Sequence, residues 1–373
     1  MSHPTAARAP GGVPVVRRGV CHVLLAYEVA MAIDLDAAQR RVTSMKERAT
    51  IPHKRRAPRY FDYQPPPLRV VQRGDAVDLG VARTREQIEV VLWDFGAMSV
   101  AYAIPMAGSL GELVALSEAL YDNAALLADS RRRVAELVAE IAPALDRARL
   151  ADMVEAYTIF QVEEFAGSVA PGDLVTVWGR QVAQLLRSER APLSDDEVRD
   201  ATAHRIAFGT DDVAILDWDG ALLVDQEGDD VRAVLEFANV ELLEMRWLDQ
   251  QLDDALGHAY ETLTRRRRWE LRLPGSARLD MRRIGRLQVD SAVLFEGVNN
   301  ALKLVGDQYL ARVYRLVSER FHLAEWDASI LRKLQTLESI YQKISDEAAT
   351  WRMELLEWII IILIAVSIVI PYG

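Results

Sequence analysis

Two carboxylates stand two residues apart at the end of a short non-polar run. Val213 to Leu216 has the composition of a buried strand, and Asp217, Trp218, Asp219 and Gly220 follow it directly. Asp217 and Asp219 are therefore the candidate catalytic residues of the chain. The Asp-Gly pair is also a strong signal for a tight β-hairpin turn, so a turn with no catalytic role explains the same residues.

The stretch from Val213 to Asp225 resembles the first motif of the haloacid-dehalogenase-type phosphatases. The resemblance implies that Asp217 is a nucleophile and Asp219 an acid/base, both assisted by Mg²⁺. However, Ala221 stands where that family has Thr or Val, and helices follow instead of alternating strands and helices. The hairpin interpretation is favoured, and a Mg²⁺-dependent phosphatase is kept as an alternative.

Other residues that commonly carry chemistry are sparse. The chain has one cysteine, Cys21, which excludes an internal disulfide. Its six histidines include no pair at the spacing of metal ligands. Since no Ser/His/Asp set or phosphate-binding glycine loop occurs either, we predict a non-enzymatic protein without metal or cofactor.

Charge is uneven along the chain. The net charge of -11 argues against DNA binding, which needs a positive field. A local basic patch nevertheless occurs at Arg265, Arg266, Arg267 and Arg268. It predicts contact with anionic lipid headgroups, or an RNA- or ribosome-associated factor, while a solvated helix end accounts for it more simply.

The spacing of non-polar residues predicts an α+β fold with two small sheet-containing units followed by a long antiparallel helical hairpin. We expect a disordered leader over 1–14, an α/β body over 15–228 and helices over 229–354. The segment 90–98 resembles 214–222, so the body could consist of duplicated units at 15–165 and 166–228, or the likeness could be chance. The expected elements are strands at 15–28, 68–71, 87–93, 98–104, 204–208, 213–216 and 221–224, and helices from Leu35, over 110–127, 131–142 and 146–165, and from 231 onward.

A heptad pattern runs through the last forty residues of the sequence. Non-polar residues recur in alternating steps of four and three from Ile330 to Val369, which is the spacing of a coiled-coil seam. A helix over this stretch would be roughly 60 Å long. We therefore predict self-association through the C-terminal helices, with the hairpin turn near Phe321.

The end of this helix predicts a membrane segment over 355–373. The thirteen residues from Trp358 to Ile370 carry no charge, and the run is non-polar around the whole helix rather than along one stripe. Its length of about 20 Å is short of a hydrocarbon core. The anchor residues would be Trp358, Ile359, Ile360, Ile361, Ile362, Leu363, Ile364 and Tyr372.

The segment from Arg352 to Ile364 resembles the closing signature of the required-for-meiotic-nuclear-division family. The likeness rests on Arg352, Leu356, Glu357 and Trp358, followed by the isoleucine-rich run. The resemblance implies a membrane-associated, self-associating protein without enzymatic activity.

Together these features predict a membrane-anchored scaffold. Its body would lie on the cytoplasmic face of a bacterial inner membrane, held by a single C-terminal span. The expected partners are membrane lipid, further copies of the chain and an unidentified protein, with RNA as the alternative.

Overall fold

The computed structural model describes residues 12–42, 45–48, 65–266 and 308–369. They form a mixed α+β protein, as predicted. Two compact units are present: one holds the described residues up to 245 together with 308–324, and the other holds 246–266 together with 325–369.

The first unit is built on one mixed sheet of nine strands in the order β3-β4-β5-β6-β1-β8-β11-β10-β9. All neighbouring strands are antiparallel except β8 and β11. The strands are β1 (Val15–Glu28), β3 (Met45–Arg48), β4 (Leu68–Arg73), β5 (Gln87–Leu92), β6 (Ala97–Ser109), β8 (Val154–Phe165), β9 (His204–Ile206), β10 (Val213–Leu216) and β11 (Gly220–Val224); β2 (Ala32–Ile33) and β7 (Leu145–Asp146) pair separately.

The prediction of two separate small sheets is wrong for the described strands. The strands from both predicted regions join at the parallel pair of β8 and β11, where Phe160 lies beside Leu222. The predicted helix over 146–165 is also wrong, because this stretch is the strand β8. Tyr157 and Ile159 are as deeply buried as Phe160 and Val162. A strand buried on both faces lacks the polar alternation that identifies a strand in a sequence.

The described residues also form α-helices. They are α1 (Leu35–Arg41), α2 (Leu110–Leu120), α3 (Ala124–Glu140), α4 (Asp173–Thr176), α5 (Gly179–Leu186), α6 (Asp195–Ala201), α7 (Asp229–Arg266), α8 (Gln308–Arg320) and α9 (Leu323–Val369). Local signals explain several of their starts: Asp34 caps α1, and Ser109 and Glu112 form a capping box on α2.

Strand β1 shows how the two faces are divided. Its residues Val23, Leu25 and Tyr27 belong to the large core that includes α2 and α3, whereas Ala26 packs with Val240 of α7 on the other face. The neighbouring strand β6 presents small residues toward α7, including Ala97 and Ser99. Helix α7 can therefore lie close to the sheet, which brings its polar side chains within reach of the strands.

The second unit contains the C-terminal part of α7 and most of α9. Leu252, Ala255 and Ala259 of α7 are buried, as are Ile330 and Leu337 of α9. The Lys333 ammonium of α9 contacts Asp249 of α7 at 2.7 Å and Asp253 at 2.6 Å. These ion pairs show that the two helices lie side by side within this unit.

Candidate functional site

The two candidate aspartates lie in the tight turn between β10 and β11, as the Asp-Gly signal predicts. The Asp217 backbone N–H donates to the Gly220 carbonyl at 2.8 Å, and the Thr158 N–H donates to the Asp219 carbonyl at 3.0 Å. A Cβ at position 220 would lie 2.6 Å from the Thr158 carbonyl oxygen. Glycine is therefore required here by the close approach of β8.

The Asp217 carboxylate is buried between two arginines. Its Oδ1 accepts a hydrogen bond from Arg320 Nε at 2.9 Å and another from Arg320 Nη2. Its Oδ2 accepts from Arg187 Nε at 3.0 Å. The residue is 1% exposed. Arg187, which directly follows α5, and Arg320, the last residue of α8, therefore enclose its carboxylate almost completely.

A second carboxylate completes this network. Asp200 of α6 accepts from Arg320 Nη2 at 2.7 Å and from Arg187 Nη2 at 2.5 Å, and Glu197 also pairs with Arg187. The Arg320 guanidinium, supported by Arg187, holds the pKa of Asp200 below its ordinary value. The two arginines thus join the hairpin turn to α5, α6 and the end of α8.

Asp219 has a different environment from Asp217. It is exposed, and no hydrogen bond to its carboxylate was identified in the part of the chain that the structure describes. Partial desolvation raises its pKa, and the nearby charges of Asp217 and Asp122 raise it further. The two aspartates of the motif are therefore not equivalent.

This geometry favours a structural role for Asp217. A nucleophile needs a free oxygen that substrate can reach, whereas both Asp217 oxygens accept from guanidinium groups. Aromatic side chains also close over the turn: Trp218 stacks on Phe321 with ring centroids 6.5 Å apart, and the Arg320 guanidinium lies 5.7 Å from the Trp218 ring centroid. Such pairing and stacking stabilise a fixed turn.

A second polar cluster lies between the sheet and α7. Glu28 of β1 and Glu244 of α7 are both buried, and Arg149 donates to Glu28 Oε1. Burial raises the pKa of both glutamates, and the charge of Glu28 raises that of Glu244 further. Glu28 Oε2 and both Glu244 oxygens have no hydrogen-bond partner among the described residues, so burial favours a protonated, uncharged carboxyl at Glu244.

Further polar residues of α7 are paired along its length. Glu236 accepts from Ser99 Oγ at 2.7 Å, Arg232 donates to Glu89 at 3.3 Å, and Glu241 accepts from the Tyr314 hydroxyl at 2.6 Å. Hydrogen-bonded partners are what buried charges require. The arrangement fixes the first part of α7 between the sheet and α8.

Most of these ion pairs and hydrogen bonds were not predicted from the sequence. Arg320 lies 103 residues from Asp217, and a helix-ending arginine carries no sign of a distant partner. A partial signal existed in the first part of α7. There the polar residues Arg232, Glu236, Asn239, Glu241 and Glu244 stand among non-polar ones, and all five are buried.

The predicted anchor residues form an exposed non-polar surface on α9. We call the exposed non-polar residues between positions 353 and 364 the α9 tip. Trp358 is 65% exposed and Ile362 is 56% exposed, and the residues on the other sides of the helix are comparably open. The members of the α9 tip are Met353, Leu356, Trp358, Ile359, Ile360, Ile361, Ile362, Leu363 and Ile364.

The predictions of a transmembrane tail anchor and of a place at the bacterial inner membrane are contradicted. Among the helices of the described residues, none combines the length and the non-polar character needed to cross a bilayer. The uncharged run is too short: an eighteen-residue window ending at Val369 takes in Arg352, Glu354 and Glu357. Tyr372, the predicted outer aromatic residue of the anchor, lies outside the described residues.

The remaining predicted site residues fall in two places. Arg265 and Arg266 end helix α7, and Arg267 and Arg268 lie outside the described residues, as does most of the leader. Arg352, Leu356, Glu357 and Trp358 are all on α9. Across the described ranges, no group of three or more His, Cys, Asp or Glu side chains could hold a metal ion.

Comparison with known proteins assigns the family. Residues 18–230 match the family model described as "Uncharacterized protein MJ0711, N-terminal domain". "Uncharacterized protein MJ0711" of Methanocaldococcus jannaschii is 25% identical over 226 residues, which are 58% of this chain and 66% of the relative. The match thus spans just under two thirds of that relative's length. No solved structure matches the chain.

The predicted membership of the required-for-meiotic-nuclear-division family is therefore wrong. That resemblance rested on Arg352 to Ile364, a short helical stretch of common composition that lies outside the matched residues 18–230. The matched residues contain almost the whole nine-stranded sheet, together with Arg187, Asp200 and Asp217. The chain belongs to the MJ0711 N-terminal domain family.

Proposed function

We propose that this chain is a non-enzymatic interaction protein that assembles with copies of itself through the α9 tip. The observation that carries the proposal is the exposure of consecutive large non-polar side chains around the whole helix, from Trp358 to Leu363. Exposed non-polar patches of this kind mark protein–protein or membrane contacts. Of the two, we propose a protein partner, because the heptad spacing that continues into this surface is the spacing by which helices pack on helices.

The ionic clusters of the first unit support a role in binding rather than catalysis. Asp217 is occupied by Arg320 and Arg187, and Glu28 is occupied by Arg149 and Glu244. These contacts stabilise the fold and offer no free reactive group. The α9 tip, in contrast, has non-polar surface whose burial would stabilise an assembly.

We also retain the predicted antiparallel helical hairpin over 229–354 as part of this proposal. The ion pairs of Lys333 with Asp249 and Asp253 support close packing of α7 and α9. The residues 267–307, which the hairpin prediction includes, lie outside the described residues. The division of the body into units at 15–165 and 166–228 stays a prediction, as does RNA binding by Arg265–Arg268.

Paired substitutions in the full-length chain test the proposal. The heptad pattern places Trp358 and Ile362 on the seam and Ile360 and Leu363 away from it. We expect Trp358→Gln with Ile362→Gln to convert an oligomer to a monomer in sedimentation equilibrium. Loss of two buried non-polar side chains removes on the order of 3–6 kcal/mol of association free energy.

The matched control is Ile360→Gln with Leu363→Gln, which removes similar non-polar surface from the outer side. This variant should remain assembled. If the seam variant and the control have the same mass as the unmodified chain, the α9 seam does not hold copies together and the proposal fails.

A further inference from the structure

A buried glutamate near the middle of α7 lacks the partners that its negative charge requires. Glu244 is 2% exposed, and neither of its carboxylate oxygens has a hydrogen-bond partner among the described residues. Glu28 of β1, which faces it, is 1% exposed, and its Oε2 also has no such partner. Burial of an ionised carboxylate is costly unless an opposite charge or hydrogen-bond donors compensate it. Two negative charges at this pair are therefore strongly unfavourable while α7 is packed on the sheet.

The charges around the pair balance only one of the two carboxylates. Glu28 and Arg149 are the charged groups that act on Glu244. The Arg149 side chain is 31% exposed, and its guanidinium donates to Glu28 Oε1. Burial raises the pKa of Glu244, and the charge of Glu28 raises it further. The Glu244 carboxyl is therefore neutral in the packed state, and its ionisation opposes packing.

The strand side of this pair is held in place by backbone hydrogen bonds. β1 pairs with β6 along one edge and with β8 along the other. The Ala151 N–H donates to the Glu28 carbonyl at 3.0 Å, and the Arg149 N–H donates to the Val29 carbonyl at 2.8 Å. Glu28 cannot move away without breaking these bonds. Separation of the two carboxyls must therefore come from movement of α7.

The helix side is held by a smaller set of contacts. Helix α7 packs here on a non-polar cluster separate from the large core, and the first unit ends one residue after Glu244, at Met245. The buried members of the cluster among the described residues are Ala26, Val91, Trp93, Phe95, Ala97, Val240 and Leu243. Segments with few buried non-polar contacts open at lower free energy than the main core. This part of α7 can therefore open while the sheet stays folded.

Other titratable groups lie on the same side of the sheet. Burial raises the pKa of Glu236, but the charge of Arg232 and a hydrogen bond from a serine favour its ionised form. Burial lowers the pKa of His22 to about 3, and the charge of Arg232 lowers it further. Glu241 accepts a hydrogen bond from the Tyr314 hydroxyl. All these groups are present in a variant at position 244 as well, so a comparison with that variant cancels their effects.

We infer that Glu244 is a proton-dependent latch: its neutral carboxyl keeps the surrounding part of α7 packed on β1, and its ionisation at higher pH opens this part locally. The step transfers one proton from the Glu244 carboxyl to water. The packed state is favoured at low pH and is lost as the pH rises through the raised pKa of Glu244. The latch does not depend on the self-association proposed for the α9 tip.

Hydrogen–deuterium exchange of the full-length chain at pH 5 to pH 8 tests the latch, after correction for the intrinsic effect of pH on amide exchange. Protection of the amides over 237–245 should fall at least about tenfold more in the unmodified chain than in Glu244→Gln. Each pH unit between the ordinary and the raised pKa changes the opening equilibrium about tenfold. At pH 8, residues 237–245 of the unmodified chain should also be at least about tenfold less protected than residues 126–137 of α3, which open with the main core.

Two further variants complete the experiment. Glu28→Gln removes the facing charge and supplies an amide donor, so it should also reduce the fall in protection. Glu136→Gln, on the exposed surface of α3, should behave as the unmodified chain does. Circular dichroism establishes that each variant is folded, and if Glu244→Gln is not, Glu28→Gln decides.

Two results would overturn the latch. One is an equal fall in protection in the unmodified chain and in the folded variants at positions 244 and 28. The other is equal protection of 237–245 and 126–137 in the unmodified chain at pH 8, because α7 would then open only when the whole first unit unfolds.

Discussion

At the Asp217 turn, a buried carboxylate is matched by two guanidinium groups that reach it from separate helices. In the α9 tip, by contrast, non-polar side chains from Trp358 to Leu363 face solvent on every side of the helix. A buried charge is unfavourable without a group of opposite charge, and an exposed non-polar surface is unfavourable unless another surface covers it. At the turn the chain supplies the partner itself, and in the α9 tip we propose that another copy does. Our proposal therefore assigns stability to the ionic network of the first unit and assembly to α9.

The largest expected effect on stability comes from replacing Asp217. Asp217→Asn removes the charge that balances Arg320 and Arg187, and Arg320 is itself nearly buried. We expect the free energy of unfolding to fall by about 3–5 kcal/mol, because removing one partner leaves a buried charge unpaired. Urea denaturation followed by circular dichroism measures it.

The control is Arg199→Ala, which removes an ion pair with Asp196 between two largely exposed side chains. Its effect should stay within about 0.5 kcal/mol. If both substitutions lower the free energy of unfolding by the same small amount, the ion pairs of Asp217 do not stabilise the fold.

Replacing Glu244 in the Glu28–Glu244 pair should change the free energy of unfolding by less, and it should stabilise the protein instead of destabilising it. Burial raises the folded-state pKa of Glu244 above its ordinary value of 4.5, so folding favours the protonated form. The contribution of Glu244 to the free energy of unfolding should therefore decrease as the pH rises above 4.5 and through the raised pKa. Glu244→Gln keeps a donor for Glu28 at every pH, and should stabilise the protein at pH 8 by about 2 kcal/mol.

Denaturation curves from pH 5 to pH 8 check this prediction. The exposed Glu136 pairs only with Arg132 in a surface contact, and Glu136→Gln should leave the slope of stability against pH unchanged. The buried His22, whose pKa is lowered to about 3, changes stability in the opposite direction as the pH rises, so the quantity compared is the difference between the unmodified chain and Glu244→Gln. A difference that does not change with pH would contradict the raised pKa of Glu244.

The smallest effect concerns a neutral hydrogen bond in the main core. The Tyr27 hydroxyl and Ser130 Oγ lie 2.6 Å apart in a buried setting. Tyr27→Phe should cost about 1 kcal/mol of unfolding free energy, while Tyr121→Phe, at an exposed ring, should cost almost nothing. Thermal denaturation of both variants makes the comparison, and indistinguishable midpoints would show that this bond contributes nothing.

Local features of the fold were predictable from the sequence. Strand β1 was confirmed at Val15–Glu28, the start of a helix at Leu35 was confirmed, and the Asp219–Gly220 turn was confirmed. The long C-terminal helix was confirmed as α9. Each depends on residues adjacent in the chain, where capping, turn geometry and spacing act directly.

Features that depend on distant residues were not predictable. Strand β8 lies between β1 and β11 and is buried on both faces, so its sequence lacks a strand-like alternation. The Asp217 site depends on Arg320, whose proximity arises from the packing of α8. The membrane interpretation of the α9 tip followed from an uncharged run that is non-polar around the whole helix, and this pattern does not separate a surface for lipid from a surface for protein.

The mass of the unmodified chain in solution tests the central claim most directly. Sedimentation equilibrium over a wide range of concentration should give a mass of at least twice 41.8 kDa, falling toward the monomer on dilution. A constant mass of 41.8 kDa at all concentrations would contradict assembly through α9.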